Sequence, residues 1–310
     1  MKTRSFRCWY RPKTILVVSS LSEHPARTLQ TIGKFRRTGA QLFLLSLQRQ
    51  VYGVSNTEAA FPSILNQGLR SQIPFADDTR RSLLWAEILS EAIILSSSHF
   101  EEVPQIANSV GADIVLIVAP DSRATPLNAP RFDAGLLGSF DAPVLVFSRL
   151  VDLDSWNRDA FDRILVPVTF GPGLADQLRF ACSFARRYHA RLTVLHVFEG
   201  RGPLEHPWER TPVAVEARLP LADLKREGML CPMEIAVSEG YPEQAIPHFN
   251  ERKHYDLIIM GEPHFPPQRS FGHSVVESVA AEANCPVVII GQGSKTTFGA
   301  IESVPVLTSA

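Results

Sequence analysis

Apolar residues fall in short, nearly continuous runs along the chain, at 15–18, 40–47, 92–96, 113–119 and 142–147, and again at 163–168, 190–197, 233–238, 256–261 and 285–290. Runs of this length, rich in Val, Ile and Leu, predict strands covered on both faces, as in a parallel sheet. Between them lie stretches of helical period. Leu174, Leu178, Ala181, Ala185 and Tyr188 recur every three or four residues and make one apolar face. Leu29, Ile32 and Phe35 do the same less cleanly near the start, and further helices are predicted over 101–110 and 243–252.

The runs match in pairs. Lys13-Thr-Ile-Leu-Val-Val-Ser-Ser20 resembles Asp162-Arg-Ile-Leu-Val-Pro-Val-Thr169, and Ala40-Gln-Leu-Phe-Leu-Leu-Ser-Leu47 resembles Ala190-Arg-Leu-Thr-Val-Leu-His-Val197. Asp113-Ile-Val-Leu-Ile-Val-Ala-Pro120 pairs with Asp256-Leu-Ile-Ile-Met-Gly-Glu-Pro263, and Ala142-Pro-Val-Leu-Val-Phe147 with Cys285-Pro-Val-Val-Ile-Ile290. The offset is 149 or 150 residues for the first two pairs and 143 for the last two, so one unit is written twice with a shorter crossover in the second copy. Strands alternating with helices predict, for each copy, a flavodoxin-like, doubly wound α/β unit of five parallel strands with helices on both faces. The units are placed at 1–150 and 160–292, joined by a polar linker over 148–162. A loosely ordered tail is expected over 293–310. The segments 144–147 and 287–290 are apolar on both faces and end their copies. Left open, each is a flat hydrophobic edge, so they are expected to join antiparallel within the chain and give one sheet of ten strands.

Composition narrows the function classes. Lys plus Arg is 31 against 32 for Asp plus Glu, a net charge of -1, which carries no basic excess for nucleic acid. Cys8, Cys182, Cys231 and Cys285 form no Cys-x-x-Cys pair and are too sparse for a disulfide scaffold, so reduced, mostly buried thiols and a cytoplasmic setting are expected. No apolar run approaches the ~20 residues that cross a membrane. His189, His196, His248 and His254 show no metal-ligand spacing.

The second copy resembles the universal stress protein family over its whole length. The residues that carry the likeness are Arg163-Ile-Leu-Val-Pro-Val168, Ala190-Arg-Leu-Thr-Val-Leu-His-Val197, Val237-Ser-Glu-Gly-Tyr-Pro-Glu-Gln-Ala-Ile246, Tyr255-Asp-Leu-Ile-Ile-Met-Gly261, Ser274-Val-Val-Glu-Ser-Val279 and Asn284-Cys-Pro-Val-Val-Ile289. The first copy resembles it more weakly, so the whole chain looks like a tandem member of a kind common in bacteria. The resemblance implies a Rossmann-like, adenine nucleotide alpha hydrolase-like fold. In the ATP-binding branch of the family, an Asp at the end of the first strand holds adenosine and a Gly-x2-Gly-x9-Gly-Ser/Thr loop after the fourth strand wraps the phosphates. Glycines there let backbone N–H groups approach the anion, and the next helix presents its positive N-terminus.

This chain departs from that pattern. The Asp position is Thr169, or Ser20 in the first copy; the loop keeps Gly261, but His264 and His273 replace the other two glycines and only Ser274 remains of the final pair. In the first copy the matching positions are Val118 and Arg131. A Cβ where backbone must touch phosphate is a steric obstacle. The nucleotide-contacting set carried over by the resemblance is Thr169, Val197, Met260, Gly261, His264, His273, Ser274 and Val275. ATP is expected to bind weakly or not at all, and in the second copy if anywhere. Ser274 has a competing role, since Ser274-Val-Val-Glu277 fits a capping box at a helix start. There is no Gly-x-Ser-x-Gly elbow or Walker loop, so catalysis is not expected. The expectation is a non-catalytic sensing or adaptor module with a degenerate adenine-nucleotide site and an unknown protein partner. The alternatives are an ATP-dependent switch or weak nucleotide-handling enzyme using His264, His273 and Ser274, and a purely structural pseudo-dimer.

Overall fold

The structure is a computed structural model of the 310-residue chain, and it describes residues 12–19, 30–32, 39–47, 93–97, 100–119, 139–156, 161–199, 210–261 and 275–291. The strands are β1 (Thr14–Ser19), β2 (Gln41–Leu47), β3 (Ile93–Ser97), β4 (Ile114–Val118), β5 (Val144–Phe147), β6 (Arg163–Val168), β7 (Arg191–Phe198), β8 (Met233–Glu239), β9 (Leu257–Gly261) and β10 (Val287–Ile290). The helices are α1 (Val103–Ser109), α2 (Leu174–Tyr188), α3 (Pro212–Arg218), α4 (Leu221–Arg226), α5 (Pro242–Lys253) and α6 (Val275–Glu282). The ten strands form one sheet in the order β3-β2-β1-β4-β5-β10-β9-β6-β7-β8. Every neighbouring pair is parallel except β5 with β10, which run antiparallel with Val287 opposite Val146, Val288 opposite Leu145 and Ile289 opposite Val144. The expected joining of 144–147 to 287–290 is therefore observed. Each half lays its first strand in the middle and its second and fourth on either side, a doubly wound order.

Alternation along the strands sends side chains to two separate cores. Ile15, Val17, Ile164, Val166, Leu192 and Val194 point to one face, where α2 covers the strands of the second half with Leu178, Ala181 and Ala185 and the α3–α4 region adds Leu219 and Leu224. Leu16, Val18, Leu165, Leu195 and Ile258 point to the other, under Val103 and Ala107 of α1, Ile246 of α5 and Val276, Val279 and Ala280 of α6. Central strands β4, β5 and β10 are buried along their whole length, as their unbroken apolar runs predict. β8 lies at an edge of the sheet and is only half-buried, which fits its mixed Met-Glu-Ile-Ala-Val-Ser-Glu sequence.

The internal repeat extends to a polar device at the start of the central strands. Asp113 Oδ2 accepts the backbone N–H groups of Lys13 and Thr14 at 2.8 and 3.0 Å. Asp256 Oδ2 accepts those of Asp162 and Arg163, both at 2.8 Å. In each half a carboxylate at the mouth of the fourth strand fixes the first strand beside it.

Two expectations are corrected. The span 148–162 is not a polar tether, because Val151, Leu153, Trp156 and Phe161 are buried in the same core as α2. Their rings make a chain of edge contacts from the first half to the second: Phe147 to Trp156 at 5.0 Å, Trp156 to Phe161 at 6.2 Å, and Phe161 to Phe184 and Tyr188 of α2 at 5.2 and 4.9 Å. Ser148 Oγ also donates to Ala283 C=O across the halves. The helix predicted over 101–110 opens instead with a 3-10 turn, Phe100–Glu102, ahead of Val103–Ser109. Pro104 lies in the first turn of that helix, the one place where its missing N–H costs nothing. Of the first-copy helix near Leu29, Ile32 and Phe35, only a helical stretch at 30–32 falls within the described residues. The tail at 293–310 lies outside them.

Candidate functional site

In a doubly wound sheet the crevice for a ligand opens where the chain reverses, beyond the carboxyl ends of the first and fourth strands. In the second half those are β6 and β9. Their pairing stops early, after Ile164 opposite Leu257 and Leu165 opposite Ile258. In the first half the equivalent ladder of β1 and β4 continues through Val17, Val18 and Ser19.

Pro167 explains the difference. Continued in register, the N–H of residue 167 would donate to Ile259 C=O, and proline has no N–H to give. A side chain takes its place. Gln177 of α2 is buried, and its Nε2 donates to Ile259 C=O at 3.1 Å and to Pro167 C=O at 2.8 Å. One amide thus bridges the two strands where the ladder has failed, satisfying two buried carbonyls.

Gly261 follows at the end of β9, pressed against the same amide. A Cβ on Gly261 would stand 3.1 Å from Gln177 Oε1 and 3.3 Å from its Cδ. The glycine retained from the phosphate-loop pattern therefore has a local packing reason. Gly171 and Gly173 shape the turn on the other side. Gly173 is the N-cap residue of α2 with φ of 86°, a left-handed conformation that suits glycine.

Thr169 sits exposed just beyond β6. Phe170, next to it, carries the Arg218 guanidinium 3.6 Å over its ring and has the His196 ring at 4.5 Å. His196 Nδ1 lies 3.0 Å from Val168 C=O, and its ring also meets Phe198 at 4.6 Å. Arg210 lies over Phe198 and forms an ion pair with Glu239 at 3.4 Å. This rim, where β6, β7 and β8 end, is a set of alternating rings and guanidinium groups.

The residues expected at the site separate accordingly. Val197, Met260 and Val275 belong to the core face covered by α5 and α6. Gly261 faces Gln177 on the opposite side, and Thr169 stands at the strand end between them. His264, His273 and Ser274 lie outside the described residues, as does Arg131 of the first copy. Val118, at the first copy's equivalent of Gly261, is buried at the end of β4. Gln177, Phe170 and Arg218 were not among the expected site residues. For Gln177 a signal was present: a glutamine on the apolar face of α2, between Leu174 and Leu178, close in sequence to a strand proline.

A doubly wound, mostly parallel sheet with helices on both faces defines a Rossmann-like α/β protein. Within that class, residues 160–291 match the universal stress protein family. A universal stress protein from Archaeoglobus fulgidus DSM 4304 is similar in structure along most of the chain, with a TM-score of 0.58 at 17% identity, covering 90% of this chain and 96% of that one. A functionally unknown protein from Pseudomonas aeruginosa PAO1 is similar with a TM-score of 0.52 at 16% identity, covering 92% of this chain and 94% of that one. Likeness at these identities concerns the fold. No curated protein matches the sequence.

Proposed function

We propose that the chain is a non-catalytic universal stress protein module whose second half keeps a reduced adenine-nucleotide cleft, holding ATP weakly or not at all, and that it acts as a sensing or adaptor unit. The observation that carries this reading is the Gln177 amide wedged between Pro167, Ile259 and Gly261. A phosphate loop needs backbone N–H groups free to close on an anion. At the end of β9 the one retained glycine is instead packed against a side chain that supports the strands. Thr169 offers a neutral hydroxyl where the family pattern has an Asp that holds adenosine. The groups described at the rim also suit binding better than catalysis. His196 is held between two aromatic rings with its Nδ1 on a backbone carbonyl, and Arg218 is stacked on Phe170.

Isothermal titration of the full chain with Mg-ATP tests the reading. The expected result is no heat of binding, or a dissociation constant far weaker than 1 μM. A constant near 1 μM, about 8 kcal/mol of binding, overturns it in favour of an ATP-dependent switch.

A further inference from the structure

Cys182 and Cys231 are 49 positions apart in sequence and come together in one core cluster. Cys182 lies on α2 and Cys231 in the irregular segment between α4 and β8; both thiols are free, buried and part of the same core. The segment that carries Cys231 lies against the face of α2 that carries Cys182. The contact is held in place from both sides along α2. One turn before Cys182, Arg179 grips Glu227 through two hydrogen bonds of 2.7 Å. One turn after it, Arg186 Nη1 donates to Gly228 C=O at 2.6 Å. Residues 179, 182 and 186 share a helix face, and their partners 227, 228 and 231 are successive points on the segment that leaves α4.

We propose that Cys182 and Cys231 form a redox modification site, at which a peroxide converts the two thiols into an intrachain disulfide that pins α2 to the segment leading into β8. The Cys182 thiolate attacks one peroxide oxygen, the O–O bond breaks, and the thiolate becomes a sulfenic acid with hydroxide as the leaving group. The Cys231 sulfur then displaces that hydroxyl as water, giving the S–S bond. In sum two thiols and one hydrogen peroxide give one disulfide and two waters, with both sulfurs oxidised and the peroxide reduced. The order of attack follows from the surroundings. Interaction with Cys231 and the nearby Arg186 guanidinium hold the Cys182 thiol below its ordinary range, whereas interaction with Cys182 and burial push Cys231 up. Access comes through the irregular segment, where Leu230 and Pro232 on either side of Cys231 are exposed. Cys285 provides an internal control, because burial pushes its thiol up.

The test is peptide mapping and thiol counting on the full, reduced chain after treatment with hydrogen peroxide. The expected result is the loss of two of the four thiols, a cross-linked Cys182–Cys231 peptide lighter by two hydrogens, full reversal by dithiothreitol, and a higher unfolding midpoint in the oxidised form. In the C182S chain Cys231 should stay reduced under the same treatment. A cross-link through Cys8 or Cys285 overturns the proposal. So does Cys231 oxidising equally fast in C182S, or both thiols surviving conditions that oxidise the denatured chain. An unchanged or lowered midpoint overturns the pinning of α2.

Discussion

At the scale of single residues, Pro167, Gln177 and Gly261 form one dependent set. The proline removes a ladder donor, the glutamine supplies it, and the glycine leaves room for the glutamine. Gln177→Met keeps the length but not the amide. It should leave Pro167 and Ile259 carbonyls without that donor and cost about 1–3 kcal/mol of stability in urea unfolding. Gly261→Ala should cost on the order of 1 kcal/mol, because its Cβ meets Oε1 at 3.1 Å and the amide must give way. In a Gln177→Ala background the same glycine change should be nearly neutral, and the coupling is read from the double-mutant cycle. Additive costs would show that Gly261 does not serve Gln177. Part of this was legible in the sequence. The retained glycine stands out there, whereas Pro167 passes as one residue of an apolar strand. What joined them was hidden, since a glutamine declares its role only once α2 is laid across the open end of the β6–β9 pair.

At the scale of elements, α2 is tied to the end of α4 by charge. Arg179 holds the Glu227 carboxyl below the ordinary carboxylate range through their hydrogen bonds, aided by Arg226. A depressed folded value means the tie contributes above the unfolded pKa, near 4.3, and is lost as pH falls through the lower folded one. Glu227→Gln should therefore reduce stability at neutral pH while flattening its decline below about pH 4, as followed by urea midpoints across the acid range. Equal acid slopes for both chains would contradict it. Element boundaries followed the hydrophobic pattern closely wherever a strand is central: β4, β5 and β10 are the apolar runs themselves. The linker was misread because its polar residues outnumber its apolar ones. Trp156 and Phe161 decide its place, and two large rings are a weak signal in a window average although each fills a core site.

At the scale of the whole molecule, the β5–β10 pairing turns two half-sheets into one. Val288 lies fully buried in it, opposite Leu145. Val288→Lys should cost more than about 4 kcal/mol by burying an unpaired charge and reopening two hydrophobic edges, and should appear as aggregation and as new proteolytic cleavage in 148–162. Val213→Lys, at a residue 74% exposed, should change stability by less than about 0.5 kcal/mol in the same assay. The two copies were legible in the sequence from their matched strands, and so was the pairing of their last strands. The unequal length of their two central ladders was not, since it depends on one missing N–H and its replacement. Because that central pairing is antiparallel, the carboxyl ends of β1 and β4 point one way and those of β6 and β9 the other. The molecule is two-headed. Whatever meets the strand ends of the second half does so at the far pole from those of the first. One pole is thus free to change its chemistry without the other feeling it, and a signal between them has only the length of the strands along which to travel.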